Sequence, residues 1–227
     1  MTIQSNIKGL KDLKETYDEI YSSDEIKETE AFYKWIAGKF GLNGSNKKFL
    51  DIGCGTGAQL MVMEVAGSLD TFGVDISGKG IEIARMNVNG SKLAIANAEE
   101  MPFKDGSFNY IANLGSLEHF IHPDKAVREI SRLVTADGQA IIMVPNVFYY
   151  KDIWAAYKTG NRLYRNQSHE IFATLKEWKN LFEENGLSIT KTVKYNGISK
   201  SFVKQWFKDL LIPLTLSYHF VFICRKR

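Results

Sequence analysis

Cysteine is scarce in this chain: Cys54 and Cys224 stand in unrelated segments. Two isolated thiols exclude a disulfide-stapled scaffold and a cysteine-rich metal site, and both read as buried, reduced side chains. Long apolar runs are lacking too. The most hydrophobic stretch, Leu210 to Ile223, contains Pro213 and His219. It falls short of the roughly 18 residues a membrane helix requires, and it reads as a strand. From Lys8 to Glu30 the chain is rich in Lys and Glu, with no apolar signal core. The expectation is a cytoplasmic protein with no membrane partner. An excess of one charge is also missing, since 29 Lys and Arg against 26 Asp and Glu leave a formal +3. A DNA or RNA enzyme usually carries a basic stripe, so no nucleic-acid partner is expected. Oligomeric state stays open.

What remains is an ordinary globule, 44% hydrophobic and 24% charged, whose 227 residues suit one domain with a substantial core. Strand and helix patterns alternate, which argues for a parallel sheet with helices on both faces. Ser23 or Asp24 caps a helix burying Phe32, Tyr33, Ile36 and Phe40 that stops at Gly41. Strands are expected at Lys48–Ile52, Thr71–Ile76, Lys92–Ala96 and Phe108–Asn113. Helices are expected from Gly57 to Ala66, around Ile81, Ala84 and Val88, and after Pro123-Asp124 through Val127, Ile130, Leu133 and Val134. An Asp137-Gly138 turn then feeds an apolar strand, Gln139–Val144, suited to a central position. Phe148 to His169 has no clean period. Thr174 and Glu177 form a capping box for a helix that Asn185-Gly186 closes. Strands at Leu187–Tyr195 and Tyr218–Cys224 complete the pattern.

One segment carries chemistry. In Phe49-Leu50-Asp51-Ile52-Gly53-Cys54-Gly55-Thr56-Gly57, an apolar strand ends in an acidic residue and three alternate glycines open into a helix. Such glycines let a ligand lie against main-chain N–H groups at a helix N-terminus. The spacing fits both the dinucleotide fingerprint of nicotinamide enzymes and the loop that holds S-adenosylmethionine (SAM). Asp75, at the end of the next strand, suits a carboxylate that grips both ribose hydroxyls of an adenosine. Both cofactors carry that ribose.

The ordered set of motifs separates them. The glycine segment resembles motif I of the class I SAM-dependent methyltransferases, Asp/Glu-x-Gly-x-Gly-x-Gly. Ala96-Asn97-Ala98-Glu99-Glu100-Met101-Pro102-Phe103 resembles that family's adenine-wrapping segment. Asp105 to Ile111 and Leu117-Glu118-His119-Phe120 resemble the surroundings of its fourth strand in the branch of the ubiquinone-type O-methyltransferases. The resemblance covers roughly residues 48–146, through Val144-Pro145-Asn146. It implies a Rossmann-like seven-stranded, mostly parallel sheet with helices on both faces and an antiparallel last strand. It also implies SAM as cofactor and transfer of a methyl group to oxygen or nitrogen of a small-molecule acceptor. The alternative is a SAM-binding partner or regulatory subunit without transfer of its own; a nicotinamide oxidoreductase is a distant third.

Within that resemblance Asp51, Gly53, Gly55, Gly57, Asp75, Ile76, Asn97, Ala98, Glu99 and Asn113 are expected around the cofactor, with Asp51 toward the methionine ammonium. Residues 1–45 are expected to form an N-terminal helical segment that either folds as a cofactor lid, placing Tyr21 at the methionine end, or packs as an ordinary helix. Residues 46–227 form the methyltransferase domain. Glu118 and His119 are the catalytic candidates, with His119 either a general base or a histidine that shapes the pocket through a backbone bond. Relatives carry a further Glu where Gly115 stands, and losing that carboxylate argues against a metal site, so none is expected. Residues 147–170 read as a substrate-side insert. Tyr149 and Tyr150 give it walls, and Arg162, Arg165 and His169 give it donors for an anionic group on the acceptor. Its bland reading is a solvated loop or a dimer contact.

Overall fold

The computed structural model describes residues 2–5, 9–22, 29–41, 46–66, 69–161, 169–198 and 202–227. Its central sheet has seven strands: β2 (Lys47–Ile52), β3 (Leu69–Asp75), β4 (Lys92–Ile95), β5 (Phe108–Leu114), β6 (Val134–Pro145), β8 (Leu187–Tyr195) and β9 (His219–Lys226). Their order across the sheet is β4-β3-β2-β5-β6-β9-β8. The first five pair in parallel, and β9 runs antiparallel to both β6 and β8. Since β9 is reversed, its first residues arrive at the edge where the parallel strands end.

The sheet is buried on both faces, so its strands read as apolar runs whose alternate residues serve different cores. Along β9, Phe220, Phe222 and Cys224 join one cluster while Val221 and Ile223 join the other. On the first face lie α5 (Pro123–Leu133) and α7 (Leu175–Glu184), which bury Val127, Ile130, Trp178 and Phe182. On the second lie α2 (Glu30–Ala37), α3 (Ala58–Ala66) and α4 (Gly78–Asn87), which contribute Phe32, Ile36, Leu60, Met63 and Ile81. Asp51 shares the face of Phe49, one residue from the glycine turn, and is 4% exposed. The capping box forms as expected: Thr174 Oγ1 accepts from the Glu177 amide (3.3 Å), and Glu177 Oε2 accepts from the Thr174 amide (2.8 Å).

Several expectations need correction. β6 begins earlier than expected, at Val134, which pairs with Phe108; the register then shifts over Asp137-Gly138, and regular pairing with β5 runs from Gln139 as expected. Gly138 is small, since a Cβ there would lie 2.8 Å from the Asn109 carbonyl oxygen. The stretch Phe148 to His169, read as aperiodic, contains α6 (Tyr150–Thr159) and the start of β7 (His169–Phe172). None of the α6 side chains is buried, so no apolar stripe betrayed it. Leu210 is not in a strand. It lies in α8 (Phe202–Leu211), and Pro213 precedes a short 3₁₀ turn, Leu214–Leu216, before β9. The proposed caps Ser23 and Asp24 lie outside the described residues, and Thr29 stands at the start of α2. The N-terminal region also holds a strand, β1 (Thr2–Ser5), before α1 (Leu10–Ser22). β1 pairs antiparallel with β7 in a separate two-stranded sheet, with Ser5 opposite His169. Among the described residues no helix is long and apolar enough to cross a membrane.

Candidate active site

Ligands in open α/β sheets lie beyond the carboxyl ends of the parallel strands. A cavity of about 280 Å³ occupies that place, roofed by Leu13, Tyr17 and Tyr21 of α1. Its size sits at the low end of ligand pockets, about 300–1,000 Å³.

The turn from β2 to α3 forms the floor. Gly53 and Gly55 have φ of 73° and 51°, left-handed values that L side chains rarely adopt. Space forbids a side chain as well: a Cβ on Gly53 would lie 2.6 Å from Ser116 Oγ, and one on Gly55 2.8 Å from the Tyr21 hydroxyl. Asp75 ties the turn down. Its Oδ2 accepts from the Gly55 amide and its Oδ1 from the Ser77 amide, both at 2.8 Å. Burial raises its pKa, partly offset by those amides and by a bond from Tyr21. The amides fix the carboxylate, and the Tyr21 hydroxyl holds the position on it that a ribose hydroxyl would take. The glycine floor and this carboxylate therefore fit an adenosyl cofactor.

Asp51 lies behind the floor. Burial, then the neighbouring charge of Asp75, pushes its carboxyl up to about 8. The same burial raises the Cys54 thiol well above its ordinary value, with Asp51 and Asp75 adding to it, so Cys54 packs and does not attack. Asn97 Oδ1 accepts from the Glu99 amide (3.1 Å), and Glu99 Oε1 accepts from the His122 amide (2.8 Å). These bonds shape the loop after β4. Asn113 is fully buried and its Nδ2 donates to the Ile52 carbonyl (3.0 Å) and Ser116 Oγ (2.7 Å). It locks the ends of β2 and β5 together.

Beyond β5, a 3₁₀ turn (Leu117–His119) presents Glu118 and His119, both buried. His119 Nδ1 lies 2.5 Å from the His169 carbonyl oxygen and must donate to it. Nε2 is then the unprotonated nitrogen, 3.8 Å from Glu118 Oε1. Burial lowers the His119 pKa to about 4, outweighing the His169 carbonyl, which favours the charged form. His119 is thus neutral at pH 7 because protonation would bury a charge, and its bond to the His169 carbonyl is the backbone bond that one of its two readings called for. The Tyr17 ring stands edge-on to it, 6.0 Å between centroids. Among the described residues no three His, Cys, Asp or Glu side chains are grouped to hold a metal.

Of the residues singled out in the sequence, Tyr21, Gly53, Gly55, Asp75, Ile76, Asn97, Ala98, Glu99, Glu118 and His119 line the cavity. Asp51, Gly57 and Asn113 support it from behind. Tyr21 sits on Gly55 and bonds to Asp75. His169 is not in the cavity wall; its Nε2 lies 3.2 Å from the Phe120 carbonyl oxygen, and its own carbonyl orients His119. Tyr149 and Tyr150 pack on each other, and Tyr149 packs on Tyr218 (4.8 Å), one layer outside the wall. Arg162 and Arg165 lie outside the described residues. Sequence reasoning missed Glu170, Tyr218 and His219, which line the cavity. The last two were within reach, because a reversed final strand must begin at the ligand edge.

Comparison with known proteins agrees with this geometry. Residues 25–192 match the family model described as a methyltransferase domain. The uncharacterized protein MJ1252 of Methanocaldococcus jannaschii is 33% identical over 185 residues, which cover 80% of this chain and 62% of that protein. A ubiquinone/menaquinone biosynthesis C-methyltransferase of Citrifermentans bemidjiense is 31% identical over 130 residues, 52% of this chain and 55% of that one. The chain thus spans less than two thirds of the length of these relatives. Among solved structures, a complex between the Haloferax volcanii Trm112 methyltransferase activator and a methyltransferase superposes with a TM-score of 0.69 at 13% identity. That match covers 94% of this chain and 97% of the other, and it speaks to the fold alone.

Proposed function

The chain belongs to the SAM-dependent methyltransferases, and from that premise we propose that it transfers a methyl group to nitrogen or oxygen of a small-molecule acceptor. SAM is its cofactor, and when bound it supplies a methyl group on a sulfonium that needs only alignment with a nucleophile. Alignment of this kind contributes about 7–11 kcal/mol of barrier lowering.

The observation that carries the reading is a single cavity that joins two chemistries. Asp75, Asn97 and Glu99 line one end, at β3 and β4; Glu118, His119, Glu170 and Tyr218 line the other, beyond β5 and at β9. On this reading Asp75 holds the ribose and Asp51 answers the methionine ammonium. The α1 helix is the lid. Asp18 latches it, accepting from Ser77 Oγ (2.5 Å) and the Lys79 amide (3.1 Å) at the start of α4. The small volume under α1 supports a lid that moves outward to admit both ligands. His119 takes the acceptor's proton on Nε2, with Glu118 beside it to compensate the new charge.

Incubation of the purified chain with labelled SAM and a small-molecule extract tests the proposal; label must move to an extract component, and His119→Ala must slow that transfer. A second reading, in which a protein partner completes the enzyme, draws support from the likeness to the methyltransferase solved with Trm112. Transfer by the isolated chain decides against it, and against a non-catalytic SAM-binding subunit. SAM binding without transfer decides for one of them.

A further inference from the structure

We propose that the acceptor is an amine, presented to the protein as an ammonium cation, and that Glu118 and Glu170 select it. This specifies the substrate class of the methyl-transfer reading above and rests on it. The acceptor end of the cavity is walled by Glu118, His119 and Phe120 after β5, Glu170 from β7, Tyr218 just before β9, and Tyr17 from the roof. Among the described residues no Lys or Arg lines the cavity. Two carboxylates from separate elements favour a cation by charge, in a wall that also holds the aromatic residues Tyr17, Phe120 and Tyr218. Neither carboxylate is committed to the cofactor by position: Asp51 and Asp75 stand at the ends of β2 and β3, whereas Glu118 and Glu170 stand across β5.

The same charges work against an oxygen acceptor. A phenol or alcohol must approach the anionic form to attack, and that form is disfavoured between carboxylates. Tyr17 is an internal gauge of the effect. Its phenol is pushed well above the usual range by burial first, and then by Glu118, Asp75 and Glu170 in turn. An oxygen acceptor in its place would be held protonated in the same way. An ammonium differs in binding, because its resting form is the cation that the carboxylates favour. It is drawn in by the carboxylates and must then give one proton to His119 Nε2, a step made harder by the same carboxylates and by the burial of His119, to become a neutral amine with a free lone pair. That lone pair forms the new N–C bond as the S–C bond of SAM breaks with its electrons remaining on sulfur. The methylated product is again a cation, and the transferred proton leaves through His119 and Glu118.

The test uses the full chain loaded with S-adenosylhomocysteine and three probes: phenethylamine, 2-phenylethanol and 3-phenylpropionate. They share a ring and a reach, and at pH 7 they carry positive, no and negative charge. By calorimetry, phenethylamine is expected to bind at least tenfold tighter than the other two. Glu170→Gln should shrink that preference to threefold or less, Glu170→Asp should keep most of it, and both should bind S-adenosylhomocysteine within twofold of wild type. Glu118→Gln provides a second test of the same preference should Glu170→Gln not fold. The proposal is overturned if the alcohol or the carboxylate binds as well as the amine, or if no probe binds a protein that binds S-adenosylhomocysteine. A preference that survives both glutamine variants overturns it as well. Tight binding of the carboxylate would hand the acceptor instead to Arg162 and Arg165. Failure to bind S-adenosylhomocysteine itself would be a different result, removing the cofactor site and with it the methyl-transfer reading.

Discussion

Asp51→Asn should stabilise the ligand-free protein at pH 8 while weakening its hold on the cofactor. The carboxyl moves from its ordinary 3.8 to about 8 because the fold buries it beside Asp75. A folded-state pKa above the unfolded one adds stability below pH 4, and that stability is lost as pH rises toward 8. At 1.36 kcal/mol per unit, the full shift sets a ceiling of about 6 kcal/mol. Water penetration and relaxation around a buried charge reduce such figures, and about 2–3 kcal/mol is the working expectation. For a chain of this size that corresponds to roughly 5–10 °C in Tm. Asparagine cannot ionise, so the variant escapes the loss: its advantage should be near zero at pH 4 and grow to a plateau above pH 8. Urea unfolding of both proteins at pH 4, 5, 6, 7 and 8 measures the difference. A difference that stays flat across that range would refute the reasoning. The same carboxyl should lose its proton when a ligand ammonium arrives, so at pH 7 binding of S-adenosylhomocysteine should release protons, read as a calorimetric enthalpy that changes with buffer. Asp51→Asn should abolish that release.

Asp75→Ala should weaken S-adenosylhomocysteine by about 10- to 100-fold, from loss of charged hydrogen bonds worth about 1.5–3 kcal/mol; unchanged affinity by calorimetry would remove the adenosine assignment. Asp18→Ala releases the latch on α4, so trypsin should cut faster at Lys11 and Lys14, and S-adenosylhomocysteine should slow the cutting in wild type more than in the variant. Equal rates throughout would count against a lid. His119→Ala should lower kcat by about 10²–10⁴ if it is the base, and a loss under tenfold would leave it a packing residue. With its pKa near 4, it should give no acidic limb near pH 6.5 in a kcat profile. Phe182→Ala, in the core against Phe222, should cost about 3–5 kcal/mol in urea unfolding, far more than Thr174→Ala at the α7 cap, about 1 kcal/mol.

The parts legible in the sequence were those where one physical demand fixes residue type. Three glycines at alternate positions answer a turn without room for Cβ, and Phe220 to Cys224 alternate between two cores without a polar break. The capping box could be read because both of its bonds lie within four residues. Illegible features depend on partners far along the chain. Glu170 reaches the cavity on β7, which pairs with β1 across more than 160 positions and bonds to His119 from 50 residues away, with no local mark. His119 looked like a neutral-range base because its burial and its bond to His169 come from a segment 50 residues away. The α6 helix escaped detection because periodicity reports burial, and α6 has none.

The pairing of β1 with β7 has a kinetic corollary. The strand that leads into the roof over the cofactor is hydrogen-bonded to the strand that carries Glu170 and the carbonyl that sets the His119 tautomer. If α1 is the lid, this pairing links its opening to the wall that carries Glu170 and His119, and cofactor-first addition is the expected order. Product-inhibition kinetics with S-adenosylhomocysteine check it: a random order would count against the link.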